Sequence, residues 1–531
     1  MTETYENRVT DIARRASSMR KTLVDPFRND DGSFIMPTTR GEQERRNKIL
    51  ESAISDSHYS MTENGKMIAA IHARTLQGYE QKYGRLPSDD LLASCHKAVE
   101  NALTLSTHKN KAGGVFESAE MMSTTQGIMM RDRLVSLILP VWLQTITANM
   151  VTFMPGEFNQ SEFFRIKRVA GSKFGSFIKG QEIDYNFSGL YSVMDRREEL
   201  GKGDGSTKDF TFTSTSKYGS AYPFKQKRTR IYADRVLVAE DNGSGVIAGS
   251  FTLGGSPCVV SGTVEYPTGV VSVNFSVAPA SEMELHVGFD VDIEANPELI
   301  PRVDHRMESR TLYPHESAIA GNATVQAIWA LRREIGQDIE NLTMQALRNI
   351  LAADKDRKHL NDMWFHAKDV VEWNRTCSES LTLREHYESL QAALLEVDTK
   401  LMSGNGVSGL VGIVGGTSAV NTFRYLPNPY FQPAPGYRSS AQPHYVGRVF
   451  GQFDLYCNPQ MEDPWSCLCF ARGADYGQTA YVAGDAVPAL TFRHPILGDL
   501  VSKGTMWDLA YRDMQPFDGA SYLCKLIFTD A

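Results

Sequence analysis

The sequence predicts an α+β chain of several domains, with one all-β block set between helix-rich segments. Three observations carry this. The stretch "ELHVGFDVDI" alternates strictly, with Leu285, Val287, Phe289, Val291 and Ile293 apolar and polar residues or glycine between them, the period of a half-buried strand. From Val325, apolar residues at Ile328, Ile335, Ile339, Leu342, Ala346 and Ile350 recur at steps of three, four and seven, which marks one helix face. The 531 residues also exceed what a single core organises, at about 100–200 residues per domain.

The elements follow in order. Residues 1–124 form a helical N-terminal extension, with charged stretches such as "RGEQERRNKILESAI" and a helix "DDLLASCHKAVENALTL" that Ser88 is placed to cap. Residues 125–200 form the next segment, which from Val151 turns aromatic and glycine-rich, and "RVAGSKFGSFIKGQEIDYNFSG" reads as a long extended hairpin. Residues 201–293 carry short strands separated by Gly, Asn and Asp turns, among them the hairpin "VEYPTGVVSVNF", and read as a small inserted sandwich or barrel. Residues 294–375 return to the arm and then enter the long helix, whose stripe Met344, Leu347 and Leu351 widen. Residues 376–531 open with the helix "LREHYESLQAALLEVDTKLM" and continue as short α/β elements.

Composition excludes several classes. A net charge of −8 opposes a protein whose main task is gripping phosphates, which needs clustered Lys and Arg. Seven scattered cysteines are unlike a dense secreted disulfide framework and fit a reducing compartment. The start "MTETYENRVTDIARR" has charges where a signal peptide is apolar. The longest oily run, "LVSLILPVWLQTI", is broken by Pro140 and Gln144 and falls short of the roughly 20 residues a membrane helix needs.

No motif carries catalytic chemistry. Gly404, Gly406 and Gly409 spell GxGxxG, but a helix precedes them and a strand-like "LVGIV" follows, the inverse of a dinucleotide loop. Cys467 and Cys469 lack the second pair of a zinc site and read as buried small hydrophobes on one strand face. Asp290, Asp292 and Glu294 read as a solvated row, and "DKDRKH" from Asp354 lacks the glycine and terminal glutamate of a calcium loop. "FKQKRTR" from Phe224 reads as an exposed charged strand face. No HExxH, GxSxG or P-loop pattern occurs, so no catalytic, cofactor or metal residues are assigned and an enzyme is not expected.

Taken in order, these segments resemble the major capsid proteins of tailed phages, the Hong Kong 97 fold, in its T-even-like branch. The resemblance starts at "RLVSLILPVWLQTITANMVTFMPGEF" and continues through "ESRTLYPHESAI" and "ALRREIGQDIENLTMQALRNIL". It is most specific in "VGIVGGTSAVNTF", "VGRVFGQFDLYCNP", "CLCFARGADYGQTAYVAGDAVPALT" and "FDGASYLCKLIF". The resemblance implies a spine helix, an extended E-loop interrupted by the β insertion, and an A-domain. It also implies a structural protein that self-assembles, as hexamers and pentamers, into an icosahedral head shell. Such a shell encloses double-stranded DNA without reading its sequence and engages decoration, cement and portal proteins. It is made in the host cytoplasm and ends in the virion, with no membrane and no cofactor.

In the glycine-rich arm, Phe174, Phe177, Ile178, Ile183, Tyr185 and Phe187 are the subunit-interface candidates, because a hairpin alone cannot enclose them. The rival reading is a carbohydrate-binding surface protein in which the inserted β module presents Tyr218, Tyr222 and Phe224 as a sugar platform.

Overall fold

The computed structural model describes residues 2–28, 65–107, 138–183, 190–253, 256–334, 339–377, 382–494 and 501–530, with isolated positions between 34 and 59. The chain divides into two compact units, residues 1–165 with 309–531, and residues 166–308. The α+β class, the long helix, the extended strands and the inserted β domain expected from the sequence are all present.

The larger unit is built on two sheets. A four-stranded sheet orders Val151–Phe153, Tyr481–His494, Val501–Met514 and His315–Thr324. A seven-stranded sheet orders Asp369–Asn374, Leu523–Thr529, Ser466–Ala471, Leu410–Gly415, Phe453–Cys457, His444–Val449 and Phe431–Pro433. Its central strands, Ser466–Ala471 and Phe453–Cys457, are buried at every position, as strands covered on both faces must be. Cys467 and Cys469 lie in the first of these, and Cys469 pairs across to Cys524. The helix Leu383–Asn405 starts with a capping box between Thr382 and Glu385 and ends at Gly406, whose φ of 66° suits a left-handed cap. Two of the glycines of the GxGxxG pattern therefore sit at a helix terminus, before the strand Leu410–Gly415.

The N-terminal helices belong to this same core. Asp90, in the first turn of Asp89–Thr107, accepts the backbone N–H of Phe153 at 2.8 Å and pairs with Arg472 at 3.1 Å. Asn101, on the same helix, donates to the carbonyl of Ala486 at 3.1 Å. Arg85 reaches Asp454 at 2.9 Å. The helix begins where expected, but the Ser88 hydroxyl makes no hydrogen bond, so the expected side-chain cap is absent.

The long helix runs Ile339–His366, 28 residues or roughly 42 Å, after a shorter helix at Val325–Glu334. Its buried face differs from the expected stripe. Ala346 and Ile350 are exposed, while Leu347, Leu351, Lys355, His359 and Met363, each four residues on from the last, are buried. The side chains of Ile328, Ile335, Ile339 and Leu342 lie outside the described residues. The sequence periodicity located the helix, but its apolar half beyond Leu351 gives way to Lys355 and His359, and a hydrophobic count cannot place a face that carries charges.

The smaller unit holds one eight-stranded antiparallel sheet, in the order Asp195–Lys202, Glu284–Asp290, Arg230–Ala233, Val236–Asp241, Val246–Leu253, Ser256–Glu265, Val270–Phe275 and Asp209–Thr213. Its outermost strands are joined by six residues, 203–208. A flat sheet of that order would part them by about 34 Å, and the connection spans at most about 25 Å, so the sheet curls around its core. Leu285, Val287 and Phe289 are fully buried in that core, as their alternation required. The strands leading into and out of this unit, Ser161–Ala170 and Val303–Leu312, pair with each other as a two-stranded ribbon. The Lys225–Arg228 cluster is exposed, but it lies in a turn rather than on a strand, with Lys227 at a φ of 63°.

Candidate functional site

Chemically active groups concentrate where the long helix crosses the four-stranded sheet. The i, i+4 spacing that buries Leu347 and Leu351 continues to Lys355, which therefore points into the core. Its ammonium donates to Asp485 Oδ1 at 2.9 Å and lies 2.7 Å from Asp508 Oδ2. The three side chains keep 6%, 5% and 0% of their surface. Arg512, four residues along the strand and so on the same face as Asp508, contacts both of its oxygens at 3.1 Å and donates to Ser317 Oγ at 2.5 Å. Trp142 roofs the group: its indole N–H donates to Asp485 Oδ2 at 2.8 Å, and its ring stands 5.2 Å from the Lys355 nitrogen. A cavity of about 40 Å³ opens beside them, lined by Trp142, Leu351, Lys355, Asp485 and Met506 among others. Asp485 is placed by an irregularity in strand pairing between Asp485 and Val487.

Two cations and two carboxylates make the cluster neutral. Burial alone would push the Lys355 ammonium down, but Asp485 and Asp508 outweigh it and hold the pKa above its ordinary value. Burial pushes the Asp485 carboxyl up, and the charge of Asp508 adds to this, against the pull of Lys355 and Trp142.

The next residue, Asp356, accepts the backbone N–H groups of Ile146 and Thr147 at 3.3 and 3.4 Å and the Thr147 hydroxyl at 2.7 Å. Burial raises its carboxyl to about 6 despite those three donors. His359 Nδ1 lies 3.3 Å from the same hydroxyl, and its ring stands 4.9 Å from that of Tyr481. Burial first, then the positive charges of Arg512, Lys355 and Lys358, lower the imidazole to about 3, so it stays neutral at physiological pH. Lys355, Asp356, His359, Asp485 and Asp508 are all buried. They can anchor the helix or react with one another, but they cannot receive a large substrate.

The sequence reading set "DKDRKH" aside as a failed calcium loop, and it contains Lys355, Asp356 and His359. The signal that would have singled them out is their continuation of the Leu347–Leu351 spacing. Among the described residues, no group of three or more His, Cys, Asp or Glu side chains could hold a metal ion, and no helix is long and apolar enough to cross a membrane.

The arm candidates divide. Phe174 and Phe177 are buried in the core of their own unit, at 0% and 2% exposure, which corrects their expected role at a subunit interface. The physical reason is a tight return: Phe174 and Phe177 bridge each other, and Gly175 takes a φ of 61° where a Cβ would strike Arg196. That return folds both rings inward, so Phe174 stacks 5.7 Å from Tyr222 under the Arg196 guanidinium and Phe177 meets Tyr191 edge-on. Ile183 packs partly buried against the same core, whereas Ile178 remains 66% exposed. Tyr185 and Phe187 lie outside the described residues. The sugar platform is also overturned, since Tyr218, Tyr222 and Phe224 are 4%, 0% and 1% exposed and stack within the same core.

Residues 1–145 match the model of a domain of unknown function, DUF8615. The Escherichia coli protein IncB is 34% identical over 177 residues, which cover 32% of this chain and 83% of IncB. Among solved structures the chain is similar to the capsid of Myoviridae phage XM1, at 8% identity, covering 61% of this chain and 94% of that one with a TM-score of 0.31. It is similar to the capsid of jumbo bacteriophage PhiKZ at 8% identity, covering 70% and 69% with a TM-score of 0.28. It is also similar to the SrpI encapsulin of Synechococcus elongatus at 11% identity, covering 43% and 78% with a TM-score of 0.30.

Proposed function

We propose, for a chain that belongs to the family of the Escherichia coli protein IncB, that its role is to build a closed shell from many copies of itself. The reading rests on the chain's own architecture and on the capsid-like sequence segments, and one observation carries it. In the ribbon formed by Ser161–Ala170 and Val303–Leu312, the second strand is exposed at seven of its ten positions. A two-stranded ribbon has little stability of its own in water, and this one turns the largely polar outer side of its second strand to solvent, a surface that another copy would cover. Repeated around hexamers and pentamers, such a contact closes an icosahedral head.

The finer elements of the proposal follow from the same resemblance. The shell encloses double-stranded DNA on its inner face, which a chain of net charge −8 contains without reading. Portal and decoration proteins complete it, assembly takes place in the host cytoplasm, and the product is the virion head. The work is structural rather than catalytic. The test is to express the chain alone and examine it by size-exclusion chromatography and negative-stain electron microscopy. Closed shells are expected, and a persistent monomer at high protein concentration rejects the proposal.

A further inference from the structure

The buried cluster under the long helix has the composition of a self-reacting site. We propose that Lys355 and Asp485 condense within each folded chain into an isopeptide bond, with Asp508 relaying the proton. This inference stands apart from the shell reading, since every participant lies within one unit of a single chain.

The step balances. A proton passes from Lys355 Nζ to Asp485 Oδ1, 2.9 Å away, leaving a neutral amine beside a neutral acid. The nitrogen lone pair adds to Asp485 Cγ. Asp508, gripped by the two-pronged contact from Arg512, takes the second amine proton through Oδ2 at 2.7 Å and returns it to Asp485 Oδ1. The Cγ–Oδ1 bond breaks and one water leaves. An ammonium and a carboxylate have become an amide and water, with no change in net charge and no co-reactant.

Three features of the site favour the product. Each buried ion carries a desolvation cost that a neutral amide does not, and the reaction removes two ions while leaving Asp508 and Arg512 paired. Every polar atom of the amide keeps a partner: its carbonyl, the former Oδ2, accepts from the Trp142 indole, and its N–H faces Asp508. The adjoining cavity of about 40 Å³ has room for the expelled water, which needs roughly 10–15 Å³. Reaction between neighbours already held in contact also gains the advantage of an intramolecular encounter.

The experiment is mass spectrometry of the purified, denatured full-length chain, followed by peptide mapping. The expected result is an intact mass lower than the sequence mass by one water and a branched peptide joining Lys355 to Asp485. Lys355→Met and Asp508→Asn should restore the full mass, with circular dichroism reporting whether each is folded. Asp485→Asn should lose one ammonia in place of one water, a signature that a purely structural salt bridge cannot produce. Full sequence mass in folded wild-type protein overturns the proposal, and so does a branch mapped to any carboxylate other than Asp485.

Discussion

Asp356 and His359 share a single hydroxyl, that of Thr147, which lies 2.7 Å from the carboxylate and 3.3 Å from the imidazole. A hydroxyl has one proton to give, so when it donates to Asp356 it accepts from the Nδ1–H of a neutral His359. The two groups respond to pH in opposite directions. Asp356 rises from 3.8 to about 6 on folding, so the folded chain binds its proton more readily and this group's contribution is lost as pH rises from about 4 to 6. His359 falls from 6.5 to about 3, so its contribution is lost as pH falls from about 6.5 toward 3. The shifts correspond to roughly 3 kcal/mol for Asp356 and roughly 5 kcal/mol for His359, and their opposite slopes largely cancel between pH 4 and 6.

Single substitutions should unmask the slopes. Asp356→Asn leaves the histidine, and its urea midpoint should fall on acidification from pH 6.5 to 4 more steeply than wild type. His359→Gln leaves the carboxyl, and its midpoint should rise over the same interval. Parallel curves for all three proteins would show that neither group is buried as described.

Lys355→Met, which can neither pair with nor condense on the carboxylates, should lower stability by at least about 3–5 kcal/mol, because Asp485 and Asp508 then face each other with Arg512 as the remaining cation of the cluster. Adding Asp485→Asn to Lys355→Met should recover part of that loss by removing one stranded carboxylate. Denaturant unfolding measures both, and a double variant weaker than the single one contradicts the picture of paired charges.

Phe174→Ala should cost about 3–5 kcal/mol, the usual penalty for emptying an aromatic site in a core. Ile178→Ser, four residues away and 66% exposed, should change stability by less than about 0.5 kcal/mol. Thermal melts of the two variants distinguish them, and equal effects would place both side chains in similar surroundings.

Val303→Lys combined with Arg310→Glu alters two exposed positions of the ribbon. The subunit should keep its circular dichroism spectrum and its melting temperature, while the yield of closed particles seen by electron microscopy falls severalfold. Undiminished particles would free the ribbon of any part in assembly.

Much of this was legible in the sequence, for reasons particular residues make plain. Leu285, Val287 and Phe289 alternate because they face the core of the curled sheet, and a period of two reports that directly. The spacing from Val325 announced a helix, but its buried face belongs to Leu347, Leu351, Lys355, His359 and Met363, where burial depends on partners supplied more than a hundred residues later by Asp485 and Asp508. No local pattern encodes such a partnership. Phe174 and Phe177 misled for a related reason: the tight return at Gly175 carries their rings into a core whose other walls, Tyr191 and Tyr222, come from sequence on the far side of the loop.

The ribbon has an evolutionary consequence. Because Ser161–Ala170 and Val303–Leu312 pair side by side, the chain leaves and re-enters at one place, and the entropy of closing the excursion is already met by that pairing. What lies beyond the ribbon can therefore be lengthened, replaced or lost at little cost to the rest of the chain, and the excursion is a natural port for grafting a foreign domain onto the chain. Lineages under different pressures should diverge fastest there, while the Lys355 cluster, whose members answer to one another across the fold, is bound to change in concert or not at all.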